Sequence, residues 1–190
     1  MQQKNFLSQS YSLKGELNLF KNTRVLVCAG LFIALSIILG KYLAFNFLQS
    51  FRISFENLTI LIAGIFFGPL TGMVVGIGAD FIGCILVGYS INPVIMLGAA
   101  MIGLISGIFS RYVKIKNPAL KLAVSVGGAH ITGSMIIKSI GVYMYYGQPL
   151  PVVMLRIPLY IVIGFIEFYI IYLLFRNKSF SKELEKMNNI

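Results

Sequence analysis

The sequence predicts an all-α integral membrane protein, a bundle of six transmembrane helices with both termini in the cytoplasm. Three observations carry this expectation. Of 190 residues, 57% are hydrophobic and 12% charged, with a mean hydropathy of +0.85. A soluble domain carries roughly a quarter charged residues, so this chain cannot cover itself with polar side chains and its outer solvent is lipid. Apolar runs recur along nearly the whole chain, several close to the roughly 20 residues that a helix needs to cross a bilayer. Lysines and arginines then gather at alternate ends of those runs, as the positive-inside rule requires.

The first 23 residues are polar and hold Lys4, Lys14, Glu16 and Lys21. They lack a short apolar core followed by a small-residue cleavage site, so they read as a cytoplasmic segment and not as a cleavable signal. Segment one covers about 24–44. Segment two, about 57–68, is short and ends at Gly68-Pro69. Such a segment is tilted or partly re-entrant, which is tolerated where protein covers its backbone. Segment three covers about 70–89, segment four 93–110, segment five 119–143 and segment six 152–175. The transmembrane domain is thus 24–176, followed by a cytoplasmic tail at 177–190. No internal repeat is visible.

With the N-terminus inside, Lys4, Lys14, Lys21, Arg24, Arg111, Lys114, Lys116, Lys121, Arg176, Lys178, Lys182 and Lys186 are all cytoplasmic. Only Lys41, Arg52, Lys138 and Arg156 fall toward the outer side. These clusters account for the net charge of +10 as topology anchors. No basic stretch is interleaved with aromatic residues on a polar background, so nucleic acid is not expected as a partner.

Cys28 and Cys84 lie inside apolar segments, where a thiol behaves as a small hydrophobe. No spacing suits a metal. No nucleotide-binding G-x-x-x-x-G-K-[ST], no H-E-x-x-H and no G-x-S-x-G is present. A concentrative pump of this size would draw its energy from elsewhere.

Small residues recur every four positions: Gly30 and Ala34 in segment one; Gly64, Gly68, Gly72 and Gly76 through segments two and three; Gly103 and Gly107 in segment four. This spacing puts them on one helix face and lets backbones approach. Internal packing explains most of them, while Gly30 and Ala34 could serve a partner helix. Asp80 continues the segment-three stripe. A carboxylate at that depth needs a partner, water or a ligand. His130, Ser134 and Lys138 share a face of segment five, and Arg156, Tyr160, Gly164 and Glu167 follow helical spacing in segment six. His130 and Glu167 reach similar depth, counted at about 1.5 Å per residue, and are expected to pair. Lys138, Arg156 and Arg52 could form a basic outer rim, or the first two could snorkel to the interface. The long outer stretch 45–56, FNFLQSFRISFE, is either a cap over a pocket or an interfacial aromatic belt.

The run RISFENLTILIAGIFFGPLTGMVVGIGADFIGCILVGYSINP, Arg52 to Pro93, resembles the folate-type substrate-binding (S) subunits of energy-coupling factor (ECF) transporters. The small-x-x-x-small pair Gly30 and Ala34 is similar to the alanine-rich motif which those subunits present to their coupling subunit, with glycine standing where the family often has alanine. The resemblance covers about 24–176. It implies a vitamin-binding subunit in a bacterial cell membrane, without an ATPase site or cofactor of its own. Its partners would be a transmembrane coupling subunit and two ABC ATPase subunits, and outer loops would act as a lid. For folate, Asp80 would accept hydrogen bonds from the pterin, Phe51, Phe55 and Tyr89 would stack on the ring, and Arg52, Arg156 or Lys138 would meet the tail carboxylates. Related subunits take cobalamin or queuosine-type precursors. A stand-alone secondary transporter and a membrane enzyme using Asp80, His130 and Glu167 are the other readings. The chain is short for inverted repeats and shows no recognisable catalytic spacing.

Overall fold

The computed structural model describes residues 21–48 and 51–177, and for 45–48 and 51–52 the backbone alone. Among the described residues are six helices: α1 Thr23–Tyr42, α2 Glu56–Phe67, α3 Pro69–Val87, α4 Pro93–Tyr112, α5 Pro118–Tyr146 and α6 Leu150–Arg176. Five of them are long and apolar enough to cross a membrane, and α2 is the exception. The stretch between segments one and two, read as either a cap or an interfacial belt, carries regular structure. It forms an antiparallel hairpin of β1 Phe45–Leu48 and β2 Phe51–Ile53, with Phe45 opposite Ile53 and Asn46 opposite Arg52. The class remains all-helical.

Local chemistry sets the helix ends. Asn22, Asn92 and Asn117 each accept a backbone N–H of the turn that follows, Asn92 from both Val94 and Ile95. Pro69, Pro93 and Pro118 open α3, α4 and α5, where a missing N–H costs nothing. Between α2 and α3 the chain reverses at Gly68, whose φ of 106° favours glycine. A side chain there would also meet the Arg111 guanidinium, 2.7 Å from an ideal Cβ.

Helix α2 is the centre of the bundle. Of its twelve residues, Asn57 and Thr59–Phe67 are buried. Its hydrophobic side chains Ile60, Leu61, Phe66 and Phe67 pack with Val25 and Ala29 of α1, Val75 of α3, Ile102 of α4, Val126 of α5 and Ile171 of α6. Its last carbonyls, which no helical N–H reaches, accept from α4: Ser110 Oγ donates to Ile65 O and Arg111 to Phe66 O. The short segment is therefore covered by protein along its length. A wrapped helix of this kind needs no full membrane span.

The glycine spacing is internal packing at α2, α3 and α4. An ideal Cβ on Gly72 would lie 2.6 Å from Gly103 O and 2.6 Å from Gly64 Cα. One on Gly76 would strike the Ala99 backbone, and one on Gly107 the Pro69 backbone. Gly30 differs: nothing lies within 4 Å of its ideal Cβ, and both it and Ala34 face outward.

Two stretches depart from α geometry. Ile38–Tyr42 ends α1 as a π-helix, and His130–Ile137 forms a longer one within α5. π-Segments are rare and gather at functional sites. Both of these carry polar residues of the site described next.

Candidate functional site

Charged side chains converge where the hairpin end of the bundle meets the start of α2. Asp80 projects from α3 and is 8% exposed, and its Oδ2 is buried without a hydrogen-bond partner. It lines a cavity of about 10 Å³ with Ser36, Ile37 and Lys41 of α1, Glu56 and Ile60 of α2, Ala79 of α3 and Ala99 of α4. That volume suits about one water.

Glu56 opens α2 on this cavity. Its Oε1 accepts from Lys138 Nζ at 2.8 Å, a pair that joins α2 to α5 across 82 residues of sequence. Two glycines make the seat for this pair. An ideal Cβ on Gly40 would lie 2.8 Å from Glu56 Oε2, and one on Gly98 would lie 2.6 Å from Lys138 Cγ. Ser36 Oγ donates to Glu56 O at 2.8 Å, tying α1 to the same corner.

From Lys138 a chain of buried hydrogen bonds runs to α6. Lys138 Nζ donates to Asn57 Oδ1 at 3.0 Å, and Asn57 Nδ2 donates to Ser134 Oγ at 3.4 Å. Ser134 Oγ lies 3.2 Å from His130 Nδ1, and His130 Nε2 lies 2.6 Å from Glu167 Oε2. A neutral imidazole protonated on Nε2 satisfies every link, with Ser134 donating to Nδ1 and the ring donating to the carboxylate. All donors then point the same way. Such chains polarise one another in a low dielectric. The expected pairing of His130 with Glu167 is present, and neither residue lines the cavity that holds Asp80.

The other candidate residues are placed as follows. Lys138 neither snorkels nor stands on a rim: it is 2% exposed and bound to Glu56 and Asn57. Arg156 is half-buried on α6, its guanidinium donating to Tyr160 Oη at 3.0 Å and lying 5.4 Å from the centre of that ring. Its Nε is buried without a partner. Tyr89 is half-exposed, with Lys41 Nζ 5.7 Å from its ring centre. Phe55 is half-buried at the residue before α2. The side chains of Phe51 and Arg52 lie outside the described residues. Glu56, Lys41, Ser36 and Asn57 are the site residues that sequence reasoning passed over. An acid and an amide opening an apolar helix, Glu56-Asn57, are the signal that could have found two of them.

A larger hollow of about 250 Å³ separates α5 from α6, lined by Val126, His130, Met135, Tyr160, Phe165 and Phe168 among others. Its walls are apolar apart from His130 and Tyr160, and its flanks Ile131, Ile161 and Phe165 face outward. It reads as a lipid-facing cleft. The convergence of charge at Asp80 is the better candidate for binding a polar molecule.

A sequence model of the family described as "ECF transporter, substrate-specific component" matches residues 24–180. No match was found among the curated proteins. Among solved structures, the fold is similar to the "Crystal structure of FolT bound with folic acid", with a TM-score of 0.66 and 21% identity over 80% of this chain and 92% of that one. At that identity the likeness speaks to the fold.

Proposed function

We propose that this chain, which belongs to the family of substrate-specific components of ECF transporters, captures folate at the cavity lined by Asp80 and Glu56. It is a multi-pass membrane protein. The single observation that carries the binding site is Asp80: a carboxylate buried among helices, lining a cavity, with one oxygen left without a donor. Buried acceptors of this kind are seldom left unpaired. A pterin edge, which presents an exocyclic amine beside a ring N–H, offers the missing donors.

The remaining roles follow from position. Phe51, Phe55 and Tyr89 stack on the ring, and Arg52 and Arg156 meet the tail carboxylates. Lys138, already bound to Glu56, acts on the ligand through that partner. The cavity is far below the 300 Å³ or more of a small-molecule pocket, so capture requires its walls to part. The π-helical end of α1 lines the cavity through Lys41.

The basic clusters favour cytoplasmic termini, with the hairpin end outside. The domain division is 1–23, 24–176 and 177–190. The outward face of α1 at Gly30 and Ala34 would dock the transmembrane coupling subunit, itself held by two ABC ATPase subunits. The setting is a bacterial cell membrane.

Isothermal titration of the purified protein in detergent with folate tests this reading. One-to-one binding, weakened about tenfold or more by Asp80→Asn, is expected. Binding that Asp80→Asn leaves unchanged would remove Asp80 from the site. No binding of folate by the wild type would move the ligand to another vitamin, with cobalamin and queuosine-type precursors next. Folate flux into liposomes by the protein alone would favour a secondary transporter.

A further inference from the structure

We infer that Glu56 is a second ligand-contacting carboxylate, which together with Asp80 forms an acceptor clamp selecting a heterocycle edge rich in N–H donors. This rests on the proposed capture role and names the chemistry its site selects. Glu56 and Asp80 come from different helices, α2 and α3, yet line the same cavity. Asp80 supplies the independent sign of a ligand, since it is more than nine-tenths buried and its Oδ2 has no partner. An ionised carboxylate only accepts hydrogen bonds. Two of them on one small cavity suit a ligand group that only donates there, such as an exocyclic amine beside a ring N–H.

Glu56 is built to hold its place. Lys138 Nζ fixes Oε1 at 2.8 Å, and the bare Gly40 leaves room for Oε2. Lys138 is in turn aimed by Asn57, at 3.0 Å, and Asn57 by the chain through Ser134 and His130 to Glu167. Lys138 is thus a positioning residue for the clamp. This differs from a bare acidic pair in solvent, where each carboxylate would be hydrated and free to turn. Here the carboxylate on α2 is oriented by a buried cation before any ligand arrives, which lowers the ordering cost on binding.

The test uses the full chain in detergent, titrated with folate and with its 2-desamino analogue, which lacks one donor. Wild-type protein is expected to prefer folate by about tenfold or more. Glu56→Gln should weaken folate about tenfold and narrow the preference at least about threefold, because an amide offers one acceptor where the carboxylate has two. Lys138→Met should narrow the preference in the same direction, a readout that a purely structural lysine would not move. If Glu56→Gln alone leaves Lys138 uncompensated and fails to fold, the double variant Glu56→Gln/Lys138→Met removes both charges and reads the same ratio. An unchanged ratio in Glu56→Gln or in the double variant overturns the inference while leaving folate capture standing. A wild-type protein that binds folate without preferring it over the analogue also overturns it. A wild type that binds neither overturns the folate reading and the clamp with it.

Discussion

Replacing Glu167 by leucine removes the acceptor that faces His130 Nε2 at 2.6 Å, in a place where the two side chains are 0% and 2% exposed. No water reaches the orphaned ring nitrogen to take the carboxylate's place. With the ring neutral no charge is left unpaired, and a buried N–H without an acceptor costs about 1–3 kcal/mol. The imidazole stays tethered to Ser134 at 3.2 Å, which limits its escape and keeps the cost toward the upper part of that range. Glu167→Gln retains an oxygen for the ring N–H and should cost less, about 1 kcal/mol. Deleting both groups in His130→Phe/Glu167→Leu replaces the pair by apolar volume. It should come close to the wild type, because such replacements are often neutral. The coupling between the two positions would then be about 1–3 kcal/mol. Denaturant unfolding of the wild type, these three variants and the single variant His130→Phe in mixed micelles, followed by tyrosine fluorescence, measures all the terms. A Glu167→Leu loss under about 1 kcal/mol, or a double variant as damaged as the sum of its singles, would refute the reasoning.

Other outcomes follow from the same geometry. Gly103→Val should destabilise the fold by about 1–3 kcal/mol or more, since a Cβ there strikes the Gly72 backbone, whereas Gly30→Val meets nothing and should leave the isolated protein's melting unchanged. Gly30→Leu/Ala34→Leu should keep folate affinity yet lose co-purification with the coupling subunit; intact assembly would exclude that face of α1 as the dock. Gly98→Val presses on the Lys138 stem, 2.6 Å from an ideal Cβ, and should weaken folate binding by about tenfold without touching the cavity. A protease site placed after residue 190 should be cut in inverted vesicles and spared in intact cells, and the reverse pattern would invert the topology.

Much of the bundle was legible because hydropathy and small-residue spacing are local signals. The stripe Gly72, Gly76, Asp80, Cys84 identified the buried face of α3, and counting depth along α5 and α6 brought His130 to Glu167. The rest depended on distance in sequence. Nothing near Lys138 marks Glu56, 82 residues earlier, as its partner, so the lysine read as a free cation at a mouth. Lys41 and Glu56 sit at the edges of apolar runs, where hydropathy reports only that a helix ends. The π-helical segments gave no compositional sign, since His130–Ile137 is as apolar as its α neighbours. The length of α2 was read correctly, and burial on all sides is what allows it.

That short helix has an electrical consequence. Twelve residues span about 18 Å, against a hydrocarbon thickness of about 30 Å. With α2 upright in a bilayer and the end capped by Ser110 and Arg111 at one face, its polar start at Glu56 and Asn57 would lie about 12 Å below the other. A charge carried down to Glu56 therefore traverses about 0.4 of the membrane voltage. At 2.3 kcal/mol per charge per 100 mV, that is about 0.9 kcal/mol for each ligand charge reaching this depth. Capture by a membrane-embedded protein would then depend on membrane polarisation for the part of the ligand that goes deep, and not for the part left at the surface. Measuring affinity in vesicles under an imposed potassium diffusion potential would report how far into the field the charged tail descends.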